Sequence, residues 1–288
     1  MKVLITGAAG QVGRALTRTA VDGALLVPVS HKELDIADAN AVLEYVRGQA
    51  PDVIINAAAY TAVDRAESDS ELAERVNAQG PRHLAVAARE VGARLLHIST
   101  DFVFDGRAAT PYRPEAATAP LSVYGRTKLA GEQAVLETLP GAAVIVRTAW
   151  VYAAEGNNFV RTMLRIMNAK GAVRVVADQV GTPTAALSLA ETLWKIVGEP
   201  DITGIHHWTD AGVASWYDFA VAVAEEGAVL GLVPPAVTVS PIATADYPTP
   251  AHRPGYSVLD KSSLARYGLI PVHWRRRLRS VLGEMKIG

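Results

Sequence analysis

Cysteine is absent from all 288 residues, which excludes disulfide bonds, thiolate catalysis and cysteine-ligated zinc. Long hydrophobic runs are missing as well, and no apolar stretch reaches the roughly 20 residues needed to cross a bilayer. Met1-Lys2 leads straight into a short apolar segment and then glycines, unlike the core of a secretory signal. A cytoplasmic location is the expectation. Charge of one sign is also scarce: 28 Lys and Arg against 29 Asp and Glu leave a formal net charge of −1. That balance offers no global attraction to a nucleic acid polymer or an anionic membrane. One basic run, Arg275-Arg276-Arg277 with Arg279, falls on a helical pattern with Leu278, Val281 and Leu282 and reads as a solvated helix face.

Half of the residues are hydrophobic and 20% are charged, which is ample for a globular core. Strand-like runs at Lys2–Ile5, Ala24–Val29, Val53–Asn56, Arg94–Ser99 and Ala143–Arg147 alternate with helical stretches at Val12–Ala20, Ala39–Gly48, Glu71–Val91 and Ser122–Leu136. This alternation predicts a parallel sheet covered by helices on both faces. After Trp150 the rhythm loosens. Helices are expected at Asn158–Lys170, Ala186–Val197 and Trp216–Gly227, a strand at Arg174–Ala177, and a functional loop at Pro241–Tyr256. The fold class is therefore α/β: a Rossmann-type doubly wound parallel sheet over residues 1–150, rejoined by later segments, with a smaller C-terminal substrate-binding lobe over 151–288.

Val3-Leu4-Ile5-Thr6-Gly7-Ala8-Ala9-Gly10-Gln11-Val12-Gly13 reads as a strand, a glycine turn and the start of a helix. Gly7 permits the sharp turn, Gly10 lets the backbone approach a pyrophosphate, and Gly13 allows close helix–strand packing. The helix start offers free N–H groups and a positive dipole end to phosphates. Three spaced glycines alone are a weak signal; after a first strand and opening a helix they point to a nicotinamide dinucleotide. No acidic residue ends the second strand at Val29-Ser30, and His31 and Lys32 can face a 2′-phosphate. The pattern leans toward NADPH over NADH. Asp35-Ile36 follows and can contact adenine.

Tyr124-Gly125-Arg126-Thr127-Lys128 sets a phenol and an ammonium four residues apart, on one face of a helix. Hydride reduction of a ketone builds negative charge on oxygen that must be protonated. A free tyrosine, with a pKa of ~10, is a poor acid–base group at neutral pH, and a nearby lysine cation favours its phenolate. The preceding strand ends at Ser99-Thr100-Asp101, where a hydroxyl can complete the site. Glycine turn, Ser-Thr strand end and Tyr-x-x-x-Lys, in that order, form a specific constellation.

Longer strings narrow the resemblance. Thr6-Gly7-Ala8-Ala9-Gly10-Gln11-Val12-Gly13, Asn56-Ala57-Ala58-Ala59-Tyr60-Thr61-Ala62-Val63-Asp64, Ser99-Thr100-Asp101-Phe102-Val103-Phe104-Asp105-Gly106 and Arg147-Thr148-Ala149-Trp150-Val151-Tyr152 are joined by Gly156-Asn157-Asn158-Phe159, Asp178-Gln179-Val180-Gly181-Thr182-Pro183-Thr184 and Arg253-Pro254. Together they resemble the dTDP-4-dehydrorhamnose reductase family of extended short-chain dehydrogenases/reductases. The resemblance implies reduction of the C4 ketone of dTDP-4-dehydro-β-L-rhamnose to dTDP-L-rhamnose. It implies Tyr124 as proton donor, Lys128 as its modulator and ribose anchor, and Thr100 as partner to the substrate oxygen. Gly10-Gln11-Val12, Asp35-Ile36 and Ala59-Tyr60-Thr61 would line the cofactor. Thr100, Asp101, Trp150, Asn158 and Arg253 would meet the sugar nucleotide, Arg253 as a diphosphate clamp.

One position departs from the family pattern. Some members are joined in dimers through a metal held by acidic side chains, and the aligned positions here are Ala15 and one near Ala186. A hard cation has no carboxylate there, so no metal is expected and a homodimer stays open. Two rivals also stay open: a reductase or C4 epimerase of another 4-keto-6-deoxy nucleotide sugar, and a non-catalytic binding subunit. Against the latter stand Thr100, Tyr124 and Lys128, a matched acid and tuning cation that a pure binder does not need.

Overall fold

The computed structural model describes residues 1–287. Its central sheet is built from β1 (Lys2–Thr6), β2 (Leu25–Val29), β3 (Val53–Asn56), β4 (Arg94–Thr100) and β5 (Ala143–Thr148), joined from the second half of the chain by β6 (Gly204–His207). All neighbours pair in parallel, in the order β6-β5-β4-β3-β1-β2. The winding direction reverses between β1 and β3, so the loops that follow these strands part and open a crevice at the carboxyl edge of the sheet.

These strands are apolar throughout because both faces are covered. Val3, Ile5, Val53, Ile55, Val144 and Val146 pack with Leu16 of helix Gln11–Arg18 and Leu189 and Leu193 of helix Ala186–Gly198. The alternate residues Leu4, Ile54, Leu95 and Ile145 pack with Val42, Leu84 and Val135 of helices Ala39–Gln49, Gly80–Val91 and Val123–Thr138. Each such side chain, fully buried, contributes about 1.5–3 kcal/mol.

A second cluster centres on Val160, Met167, Phe219, Val223 and Leu278. It gathers helices Phe159–Lys170, Trp216–Val229 and Trp274–Ile287 with the paired strands Ala172–Val176 and Thr238–Ile242. This lobe borders the carboxyl edge of the sheet through Trp150, Trp216 and Arg253. Among the described residues no helix is long and apolar enough to cross a membrane.

Three local expectations change. The single helix expected over Glu71–Val91 is Ser70–Glu74, a π-turn over Arg75–Gln79, and Gly80–Val91. Pro81 has no N–H for the Asn77 carbonyl, so the regular ladder cannot continue there. Pro241, expected in a loop, lies in a strand opposite Val175; a two-stranded edge tolerates the missing donor. The basic run is not merely solvated. Arg275 and Arg279 both pair with Glu226, at 2.8 and 2.7 Å, and Arg277 pairs with Glu191 at 2.8 Å. The last helix is thereby tied to two others, because carboxylates distant in sequence lie beside it.

Candidate active site

The glycine turn is shaped by close approach. Gly7 has φ +69°, and a Cβ there would stand 2.6 Å from the backbone of Ala57 and Ala58. The turn thus leans on the loop after β3, across the crevice. Gly10 caps helix Gln11–Arg18 in extended conformation with no side chain filling the cap. The first N–H groups of that helix remain open to an anion. Gly10, Gln11 and Val12 line a cavity of about 500 Å³ together with Ala59 and Thr61. A cradle without side chains, an uncapped helix start and the adjoining apolar loop fit a dinucleotide.

Thr100, Asp101, Tyr124, Lys128, Trp150 and Arg253 line the same cavity. Helix Val123–Thr138 delivers Tyr124 and Lys128, and its start is fixed by Ser122, whose side chain accepts from the Gly125 N–H at 3.1 Å. Burial pushes the Tyr124 phenol up to about 12, with the nearby Thr100 hydroxyl opposing this and the Asp101 charge adding to it. Burial pulls the Lys128 ammonium down to about 8, against the opposing influence of Glu132. The Lys128 Nζ donates to the Ile98 carbonyl at 2.6 Å and lies 3.4 Å from His97 Nε2. Burial thus shifts each group toward its neutral form, while a lysine at about 8 still keeps its charge at neutral pH.

Behind the helix, Glu132 and Arg147 form a buried ion pair at 2.7 Å. Ser99 donates its hydroxyl to Glu132, so of the two hydroxyls ending β4 only that of Thr100 is turned away from Glu132, in the cavity that Tyr124 lines. Asp101 is buried, and burial pushes its carboxyl up to about 6 against the nearby Ser257 and Thr100 hydroxyls, of which Thr100 donates to Oδ1 at 3.1 Å. Asp101 Oδ2 and Thr148 Oγ1 have no protein partner, and both residues line the cavity. Trp150 holds φ +49°, unusual for a bulky side chain. Its indole stacks on Trp216 with ring centroids 3.5 Å apart and planes 6° from parallel. Arg253 grips both carboxylate oxygens of Asp64, at 3.0 and 2.7 Å, and also reaches the Ala251 carbonyl. A second cavity of about 360 Å³ shares Trp216 and Arg253 with the first.

Other expected residues sit outside the cavity lining. Gly7, in the turn, faces the backbone of Ala57 and Ala58, and the Ile36 side chain is buried in the core against Gly80. Asp35 Oδ1 accepts from the Ala37 N–H at 2.9 Å. Tyr60 turns its hydroxyl to Asp69 at 3.3 Å. Asn158 caps helix Phe159–Lys170 by accepting from the Arg161 N–H, and it donates to Gln11 Oε1 at 2.9 Å. Ala15 and Ala186 line one cavity with Arg14 and Arg18 of helix Gln11–Arg18 and with Ser30 and Glu33.

Several contributors were not singled out from the sequence. Thr148 and Trp216 reach the cavity only through packing of distant segments. Asn77, on the π-turn, exchanges hydrogen bonds with both backbone groups of Tyr60, at 2.8 and 3.1 Å, and so holds the Ala59–Thr61 loop. Glu33 Oε2 accepts from the Ser30 N–H and hydroxyl, both at 2.8 Å. A carboxylate therefore does stand at the end of β2, supplied from three residues further on, while His31 and Lys32 are exposed beside it.

Comparison with known proteins agrees with this geometry. The RmlD substrate binding domain family model matches residues 1–287. The dTDP-4-dehydrorhamnose reductase of Salmonella typhimurium is 40% identical over 294 residues, covering 99% of this chain and 98% of the relative. The crystal structure of a dTDP-4-dehydrorhamnose reductase from Clostridium acetobutylicum superimposes with a TM-score of 0.94 at 41% identity, over 99% of this chain and 100% of that one. A Bacillus anthracis dTDP-4-dehydrorhamnose reductase in complex with NADP gives 0.92 at 36% identity, over 98% and 99%. The chain belongs to the RmlD substrate binding domain family, that of the dTDP-4-dehydrorhamnose reductases.

Proposed function

We propose that this protein reduces the C4 ketone of dTDP-4-dehydro-β-L-rhamnose to dTDP-L-rhamnose, with NADPH or NADH as reductant. One observation carries the reading: Thr100, Tyr124 and Lys128 share a cavity with Gly10, Gln11 and Val12. An acid–base group thus stands beside a dinucleotide cradle. The reduced nicotinamide, when bound, supplies the hydride. Gly10-Gln11-Val12 hold the phosphates. Asp35, Ile36, Ala59, Tyr60 and Thr61 serve the adenosine half, several through their backbone because their side chains turn away. Exposed His31 and Lys32 favour a 2′-phosphate and Glu33 opposes one, so both reductants belong to the proposal.

Burial keeps Tyr124 protonated, the state needed to give a proton to the developing alkoxide. Thr100 steadies that oxygen, and Lys128 as a cation holds the ribose and the phenolate left behind. Asp101, Thr148 and Trp150 meet the sugar. Arg253 clamps the diphosphate, and the adjoining cavity takes the nucleoside end. Asn158 acts at one remove by orienting Gln11. The reading places the protein in the cytoplasm.

The test combines protein, NADPH or NADH, and enzymatically generated dTDP-4-dehydro-L-rhamnose, following the loss of reduced-nicotinamide absorbance. Wild-type protein is expected to turn over. Tyr124→Phe is expected to lose ~10²–10⁴-fold in kcat while binding cofactor as before. Normal turnover by Tyr124→Phe would remove the assigned proton donor.

A further inference from the structure

Behind the cavity a line of buried polar side chains crosses three neighbouring strands: Thr6 ending β1, Asn56 ending β3, His97 within β4, and then Lys128. Thr6 Oγ1 lies 2.7 Å from Asn56 Oδ1, Asn56 Nδ2 lies 3.0 Å from His97 Nδ1, and His97 Nε2 lies 3.4 Å from Lys128 Nζ. The direction of the line is set by a group that can only donate. The Ala58 backbone N–H points at Asn56 Oδ1 from 3.1 Å, so that atom is the amide oxygen and the other is the NH₂. The NH₂ must then donate to His97 Nδ1, which keeps its lone pair. A neutral imidazole has one proton, and here it is on Nε2, facing the lysine nitrogen.

We propose that His97 is a positioning residue which, locked by Asn56 as the Nε2–H tautomer, disfavours the Lys128 ammonium and eases release of its proton. An N–H opposite an ammonium sets two donors against each other, whereas the same N–H donates into the lone pair of an amine. The ring does not escape by charging, since Asn56 offers Nδ1 a donor, and burial with the nearby Lys128 holds His97 well below the usual imidazole range. The other titratable or charged neighbours of Lys128 are Tyr124 and Glu132 on its own helix and Asp101 beyond β4. Glu132 is engaged by Arg147 from β5 and Ser99 from β4, and its charge favours the ammonium. The inference rests on the role given to Lys128 under the proposed function.

Asn56→Asp is the decisive substitution. Its carboxylate keeps an acceptor for Ala58 but requires a proton on His97 Nδ1, which turns a lone pair toward Lys128. Long-range ¹H–¹⁵N spectra of histidine are expected to show the Nε2–H tautomer in wild type and Nδ1–H in the variant. The titration of Lys128, followed by ¹³C-lysine NMR, is expected to rise by about one pH unit or more, and the alkaline limb of kcat/KM with it. An Nδ1–H ring in wild type, or a flipped ring with an unmoved Lys128, overturns the proposal. Should Asn56→Asp fail to fold, His97→Gln can keep an N–H toward Lys128 and His97→Leu cannot. The lysine titration should then hold in the first and rise in the second, and equal values in both and in wild type overturn it. A wild type without turnover whose lysine responds as described would sink the reductase reading alone.

Discussion

Tyr124 and Lys128 are separated by one helical turn, yet burial moves them in opposite directions, the phenol up to about 12 and the ammonium down to about 8. A lowered lysine is cationic below its pKa and loses that charge as pH rises through it. If the cation is the active form, kcat/KM should fall as pH rises through about 8, and a pH–rate profile checks this. Thr100→Val keeps the shape of the side chain but removes the hydroxyl beside Tyr124. It should cost roughly 10²–10³ in kcat, by analogy with loss of one oxyanion donor, with little change in cofactor affinity by fluorescence titration. The Tyr-x-x-x-Lys pair was legible in the sequence because four-residue spacing on a helix is local geometry. Its electrostatics were not. Lysine was expected to lower the phenol, but Lys128 turns to Ile98 and His97 on β4, about thirty residues away in sequence.

Helix Val123–Thr138 is the element that aims the chemistry, and it is fixed at three points. Ser122 caps its start, Glu132 grips Arg147, and Gly131 lies against the π-turn. A Cβ on Gly131 would come within 2.1 Å of the Asn77 carbonyl oxygen, a backbone atom that cannot swing aside. Gly131→Ala should therefore destabilise the protein by about 1–3 kcal/mol through overpacking, read as a lowered Tm in thermal unfolding. It should also reduce cofactor affinity, because Asn77 holds the Tyr60 backbone. An unchanged Tm would mean that the two helices are not so tightly apposed. The helical periodicity of this stretch was readable from its residues. The π-turn was marked only by Pro81, whose missing N–H breaks one bond without revealing how the ladder reorganises.

Across the whole molecule, the second lobe meets the sheet domain where Arg253 pairs with Asp64 over a sequence separation of 189 residues. The pair is partly solvated, at 24% and 42% side-chain exposure, so it adds little to stability, about 0–1 kcal/mol. Its value lies in presenting the guanidinium to the cavity. Asp64→Ala should leave Tm nearly unchanged and raise KM for the sugar nucleotide about tenfold, equivalent to ~1.4 kcal/mol, with kcat largely kept. Steady-state kinetics and a thermal scan together check this, and an unchanged KM would remove Asp64 from the substrate site. Neither residue announced the other in the sequence: Arg253 followed a proline-rich stretch, and Asp64 ended the string after β3.

The sequence alone determined the alternation of strands and helices, the glycine turn and the Tyr124–Lys128 pair. Each depends on short-range spacing: period two or near-continuous apolarity in strands, 3.6 in helices, and glycine where a side chain has no room. Only the tertiary structure decided that β6 returns to the sheet, that Trp216 stacks on Trp150, and that Thr148 opens onto the cavity. It alone placed a carboxylate from Glu33 at the end of β2 and drew Asn56, His97 and Lys128 into one buried line. Those contacts join residues far apart along the chain, and their geometry is set by how layers pack against each other, which local spacing does not encode.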